Sequence, residues 1–132
     1  MPFESIYIQT NNPLVKLDIK RRIQASSKTA VLESRKDAQA ILVINSAELK
    51  KKILSVSGTG RVREFQLRYS ILFRVNDQKG REIVPDTKIE VNRVLPYSDS
   101  AILSAAAEEN MLLKDMKKDA ILKLMDRLGK VK

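Results

Sequence analysis

Between Phe65 and Val75 the chain alternates with unusual regularity. The odd positions are Phe65, Leu67, Tyr69, Ile71, Phe73 and Val75; the even ones are Gln66, Arg68, Ser70, Leu72 and Arg74. Side chains along a strand point alternately to opposite faces, so one face of this segment is apolar and the other polar and cationic. At about 3.4 Å per residue the eleven positions span roughly 37 Å. Gly58-Thr59-Gly60 before it and Asn76-Asp77-Gln78-Lys79-Gly80 after it are turn signals, which make the segment the middle of a meander. Upstream, Ala40–Asn45 (AILVIN) is apolar on both faces and is expected to be a central strand, with Leu49–Ser57 its continuation or the next strand. Downstream, Thr87–Leu95 alternates Ile89 and Val91 against Lys88, Glu90 and Asn92. Pro85 and Pro96 bracket it, as suits residues normally kept out of strand interiors.

Two further segments carry helical periodicity. Asn12-Pro13 is a start signal, because Asn caps well and Pro suits the first helical position. Val15, Ile19 and Ile23 recur every four residues after it, Leu14 and Leu17 widen the stripe, and the helix is expected to end near Ala25-Ser26-Ser27. After Pro96, "YSDS" supplies capping residues for a long helix from about Ala101 to Leu128. Ile102, Ala106, Leu113, Met116, Ala120, Leu124 and Leu128 form its apolar face. Phe3–Gln9 reads as a short first strand. The order is β-α-β-β-β-α. It predicts a single α+β domain with two helices packed on one face of a mostly antiparallel, four-stranded mixed sheet. The Phe65/Tyr69/Phe73 row would lie under the helices, leaving the Arg68/Arg74 face uncovered.

Composition narrows the chemistry. The 132 residues are 43% hydrophobic and 31% charged, a globular balance. No apolar run approaches the ~20 residues of a membrane helix. The net charge is +9, with Lys and Arg clustered in Lys16–Lys36, Lys50–Lys52 and Arg61–Arg74. Such a surface draws anions: nucleic acid, acidic head groups or phosphorylated sugars. With neither Cys nor His, the chain has no thiol nucleophile, no imidazole base and no Cys/His metal site, and no cofactor or metal is expected. Pro2-Phe3 leads straight into the first strand without a visible signal peptide.

Paired carboxylates could serve acid–base chemistry. Here Glu108, Glu109, Asp115 and Asp119 share a helix with Lys114, Lys117, Lys118 and Lys123, a spacing that makes i,i+3 and i,i+4 ion pairs, so no enzyme is expected. Gly58-Thr59-Gly60 lacks the spacing and the Lys-Ser/Thr of a phosphate-binding loop and reads as a hairpin turn. The Lys50-Lys51-Lys52 run and Arg61/Arg63 flank that turn and would gather near the hairpin tip. Alternation places Lys50 and Lys52 on one side and Lys51 on the other. A basic tip can clamp phosphate; it also protects an exposed strand edge from aggregation. The competing class is a basic α+β nucleic-acid-binding module that stacks bases on Phe65, Tyr69 and Phe73. Against it, the same row continues with Leu67, Ile71 and Val75, which is a core signature.

"LSVSGTGRVREFQLRYSILFRVNDQKGREIVP", followed by "IEVNRVLPYSDSAILSAAAEENMLLKDMKKDAILKLMDRL", resembles the lipopolysaccharide-assembly lipoproteins of the LptE (rare lipoprotein B) family, and "PFESIYIQTNNPLVKLDIKRRI" fits that family's first strand and helix. The resemblance implies a non-enzymatic protein at the periplasmic side of the Gram-negative outer membrane, anchored by a lipidated Cys upstream of this sequence. It further implies a plug inside an LptD-like β-barrel that binds lipopolysaccharide and supports barrel assembly, with no nucleic-acid partner. The family's basic residue at the hairpin tip falls on Gly58, and one early in the last helix falls on Ala105. The anion contacts are therefore expected at Lys50, Lys51, Lys52, Arg61 and Arg63, with Arg68 and Arg74 as a secondary set.

Overall fold

The computed structural model describes residues 2–131. Its elements are β1 (Ser5–Gln9), α1 (Pro13–Ser26), β2 (Ala30–Leu32), β3 (Ala40–Val56), β4 (Val62–Asp77), β5 (Glu82–Pro96) and α2 (Ile102–Gly129). Short 3-10 turns occupy Arg35–Asp37 and Asp99–Ala101. The sheet order is β2-β1-β3-β4-β5. β1 is parallel to β2 and β3, and the β3–β4 and β4–β5 pairs are antiparallel. The α+β class and the two-helix layer match the sequence reading, and the strands number five rather than four. The extra one, β2, has three residues, too few to show alternation. It is placed by pairing with β1 and by Thr29, whose buried hydroxyl donates to the Phe3 carbonyl at 2.7 Å.

Ala40–Val56 is one strand, interrupted by a bulge at Asn45. Ile44 opposes Phe73 and Ser46 opposes Leu72, so Asn45 is unpaired and the alternation changes phase. Ala40, Leu42 and Ile44 face the helices before the bulge, and Ala47, Leu49, Lys51 and Ile53 after it, each opposite a helix-facing residue of β4. β5 ends at Pro96 as expected but runs through Pro85, which was expected to bound its start. Pro85 is accommodated because β5 is an edge strand and bulges there: Phe73 pairs with Thr87 and Val75 with Val84, which puts Pro85 and Asp86 opposite Arg74 alone. The turns close as the sequence suggests, with Gly60 and Gly80 at φ +80° and +81°, a region that favours glycine.

Asn12 caps α1, its Oδ1 accepting from the amides of Leu14 (3.1 Å) and Val15 (3.2 Å), with Pro13 in the first turn. Val15, Ile19 and Ile23 are buried, whereas Leu14 is 70% exposed and Leu17 also faces outward. The stripe is one residue wide, because α1 lies over the narrow parallel corner of the sheet. On α2 the buried line is Ala105, Met116, Ala120, Leu124 and Leu128, joined by Ile121. Ile102 and Ala106 are exposed, so the buried face is rotated from the expected one at its start. Ser98 caps the 3-10 turn through the Ser100 amide, and α2 itself begins without a side-chain cap.

The β4 row meets the expectation. Leu67, Ile71, Phe73 and Val75 are fully buried, Tyr69 is 3% exposed, and Phe65 packs half-buried against the same core. The other face is covered only at one end. There the Arg35–Asp37 turn crosses β1, with Arg35 reaching Gln9 and the Gln39 amide donating to Ser5 Oγ. β4 has 16 residues, roughly 54 Å at 3.4 Å each, whereas the 28 residues of α2 reach about 42 Å at 1.5 Å each. Toward the tip of the β3–β4 hairpin, Ile53, Leu54 and Val56 are exposed.

Candidate anion-binding face

The β3–β4 register decides what each basic residue can reach. Lys50 opposes Arg68, Lys52 opposes Gln66 and Lys51 opposes Leu67. Lys50, Lys52 and Arg68 thus share the uncovered face, and β5 continues the two rows with Asn92 beside Arg68 and Val94 beside Gln66. Lys51 lies on the helix face. It forms an ion pair with Glu109 of α2, and its ammonium sits 4.4 Å from the centroid of the Phe65 ring. Phe65 in turn meets Tyr97 edge-on at 5.3 Å, a preferred aromatic geometry.

The remaining cations differ in how far they are engaged. Arg61, beyond the turn, pairs with Asp99 at 3.1 Å, both side chains more than half exposed. Arg63 sits at a break in the ladder between Glu64 and Val62, and its carbonyl accepts from the Tyr97 amide at 2.9 Å; its exposed side chain has no ion-pair partner among the described residues. Lys52 likewise has none, and Lys50 has only Glu48 at 3.8 Å. Arg68 is held by Glu90 at 2.7 Å and by Asn92 at 3.0 Å. Arg74 lies between the two bulges. It donates to Asn45 Oδ1 at 3.3 Å and lies 3.9 Å from Asp86, which also accepts from Asn45.

The expected cluster at the tip is thus a strip along the ribbon. Lys50 and Lys52 sit several residues below the turn, with Arg63 closer to it. The structure brings Lys50, Lys52 and Arg68 together, separates Lys51 to the opposite face, and places Arg74 in a polar knot at the other end of β4. Gln66 and Asn92, polar neighbours of the strip, were not singled out in the sequence, since only the cross-strand register reveals them.

The acidic residues of α2 pair differently from the expectation. Asp119 does meet Lys123 at i,i+4 (3.8 Å), but Glu109 goes to Lys51, and Asp115 and Asp119 both reach Arg93 of β5, at 3.7 and 3.1 Å. They tie helix to sheet. Among the described residues no cluster of three or more candidate ligands is placed to hold a metal ion. No helix among them is long and apolar enough to cross a membrane.

The family model for LptE, lipopolysaccharide-assembly, matches residues 3–128. The chain belongs to the LptE family. A lipoprotein B from Nitrosomonas europaea is 38% identical, with 94% of this chain and 81% of that one covered, and its solution structure superposes with a TM-score of 0.86. The rare lipoprotein B of Shewanella oneidensis (22% identity, 95% and 96% coverage, TM-score 0.76) shares the fold, as does a minor lipoprotein of Acinetobacter baumannii (15%, 96% and 91%, 0.77). No curated protein matches the chain. Membership in LptE gives a role in lipopolysaccharide assembly, and the strip supplies the chemistry such a role can use.

Proposed function

We propose that this domain binds lipopolysaccharide phosphates along the uncovered face of the β3–β4 ribbon and toward its tip, through Lys50, Lys52 and Arg63. Lys51, Arg61, Arg68 and Arg74 also belong to the basic set, but carboxylates of the domain already hold them. The observation that carries this reading is that Lys50 and Lys52 project from the uncovered face, and Arg63 lies nearer the turn, each with at most a loose ion-pair partner among the described residues. Clustered phosphates meet several such cations at once. Lysine offers a mobile point charge and arginine a fork of parallel donors. Multipoint, exposed attraction is individually weak, which suits a carrier whose cargo must leave.

The same uncovered face and the hairpin tip are the parts of the domain that seat in the polar lumen of an LptD-like barrel. The buried state of Tyr69 and Phe73 supports this reading over base stacking, since neither ring is available to a base. A lipid anchor upstream of Phe3 would hold the domain at the periplasmic side of the outer membrane, as the lipoprotein relatives suggest.

The test is lipopolysaccharide binding by the parent and by K50S/K52S/R63S, measured at two salt concentrations. Affinity should fall about tenfold or more in the variant, and its salt dependence should flatten. An unchanged affinity would reject the strip as the binding surface. Co-purification of the variant with the barrel separates cargo binding from docking.

A further inference from the structure

α1 and α2 do not close on each other. Between them is a cleft of about 1050 Å³, walled by Arg21, Arg22 and Ala25 on one side and by residues from Glu108 to Ile121 on the other. Its floor is apolar: Leu112 and Ile121 are half to fully buried, while Met111 is 73% exposed at its mouth. Arg21, Arg22, Lys117 and Lys118 line it, and none has an ion-pair partner among the described residues, in a molecule where most acidic groups near the helices are engaged.

The charges are ordered along the cleft. α1 returns from β1 to the parallel β2 and so runs against those strands. α2 follows β5, which is parallel to β1 by the alternation of the ladder, and lies back along it until Arg127 and Val131 reach Val84 and Phe73. The helices therefore run in the same direction. Acidic groups come first (Asp18; Glu108 and Asp115) and most of the basic ones later.

We propose that the cleft holds a single-chain amphiphile with a phosphate head, its chain over Met111, Leu112 and Ile121 and its head among Arg21, Arg22, Lys117 and Lys118. Clefts of this size and mixed lining are ordinary for small ligands, which run roughly 300–1,000 Å³. An acidic amphipathic helix would match the cations too, but it is about 10 Å across and would press its carboxylates against Asp18, Glu108 and Asp115. One head group has a single charge centre to place and can sit at the basic end. The site is on the helix layer, opposite the uncovered sheet face, so it stands or fails independently of the phosphate strip.

Dodecyl phosphate, kept below its micellar concentration, is the probe, and amide NMR shifts on the whole domain are the readout. Shifts should gather at Ala25, Met111–Leu112 and Ile121. Inorganic phosphate and dodecyltrimethylammonium should not reproduce them. R22S/K117S/K118S and, separately, M111E should each weaken binding about tenfold or more, while K50S/K52S/R63S should leave it unchanged. Equal shifts with the cationic detergent, or parent-like binding by R22S/K117S/K118S, would overturn the proposal. So would an acidic helical peptide that occupies the cleft about tenfold more tightly than dodecyl phosphate.

Discussion

Glu109 of α2 closes on the ammonium of Lys51, the middle member of a lysine triplet whose outer members face the other way. Three consecutive lysines thus have two functions: the central one fastens a helix to the sheet, and the flanking two project from the open face. Lys51 and Glu109 side chains are 41% and 30% exposed, so screening limits their attraction; such pairs contribute about 1 kcal/mol or less. The Phe65 ring adds a comparable cation–π term of ~0.5–1 kcal/mol. Lys51→Met should therefore lower the denaturant midpoint slightly and leave lipopolysaccharide binding near that of the parent. K50S/K52S should do the reverse. Equal loss of binding in both variants would mean that the triplet acts as undivided charge.

The core beneath makes a larger prediction. Phe73 is fully buried between the bulged strands and the end of α2, and Phe→Ala at such a site costs about 3–5 kcal/mol. That is a large share of the ~5–15 kcal/mol that holds a domain folded. Phe73→Ala should move the urea midpoint sharply downward at an unchanged m-value, because the surface exposed on unfolding stays the same. A small shift would show that the end of α2 collapses to fill the space.

Acid should loosen the link between α1 and the segment after β2. Hydrogen bonds from Lys20 and then Lys16, reinforced by their charges, hold the Glu33 carboxyl below its ordinary value of 4.5. A depressed carboxyl stabilises the fold above the unfolded-state value, and that contribution is lost as pH falls through the folded one. An NMR titration should place the Glu33 midpoint below 4.5, and Lys20→Met should bring it back toward that value. The same midpoint in both proteins would show that the Lys20 contact does not persist in solution.

Much of this arrangement was legible because alternation and 3.6-residue periodicity are local. The β4 row, the Asn12-Pro13 helix start and both glycine turns needed no knowledge of distant residues. What escaped was non-local. β2 exists through its neighbour β1 and the Thr29 hydroxyl, not through any pattern of its own. Leu14 and Leu17 fit a helical stripe, yet too little sheet lies beneath α1 to bury them. Pro85 reads as a strand boundary until the β5 bulge shows that its missing N–H falls on an edge. The division of labour among Lys50, Lys51 and Lys52 was visible from alternation, whereas the engagement of Arg61, Arg68 and Arg74 required partners on neighbouring elements, a dozen or more positions away.

Arg74 gives the sharpest separation of structural from ligand-facing charge. It lies opposite Pro85 and Asp86 of the β5 bulge and beside Asn45 of the β3 bulge, and its guanidinium donates to Asn45 while Asn45 donates to Asp86. Bulges bend a strand and re-aim the side chains next to them. Here both converge on one guanidinium and leave it 38% exposed, so it is less available than Lys50 or Lys52. Arg74→Met should keep lipopolysaccharide affinity within about twofold of the parent, since the phosphate strip lies farther along β4. Its cost should appear in stability, at roughly 1 kcal/mol for a partly exposed network, and in faster amide exchange at Asn45 and Asp86. If Arg74→Met instead weakens binding as much as K50S/K52S/R63S with no change in exchange, the ligand reaches the whole length of the ribbon and the strip must be extended to include Arg74.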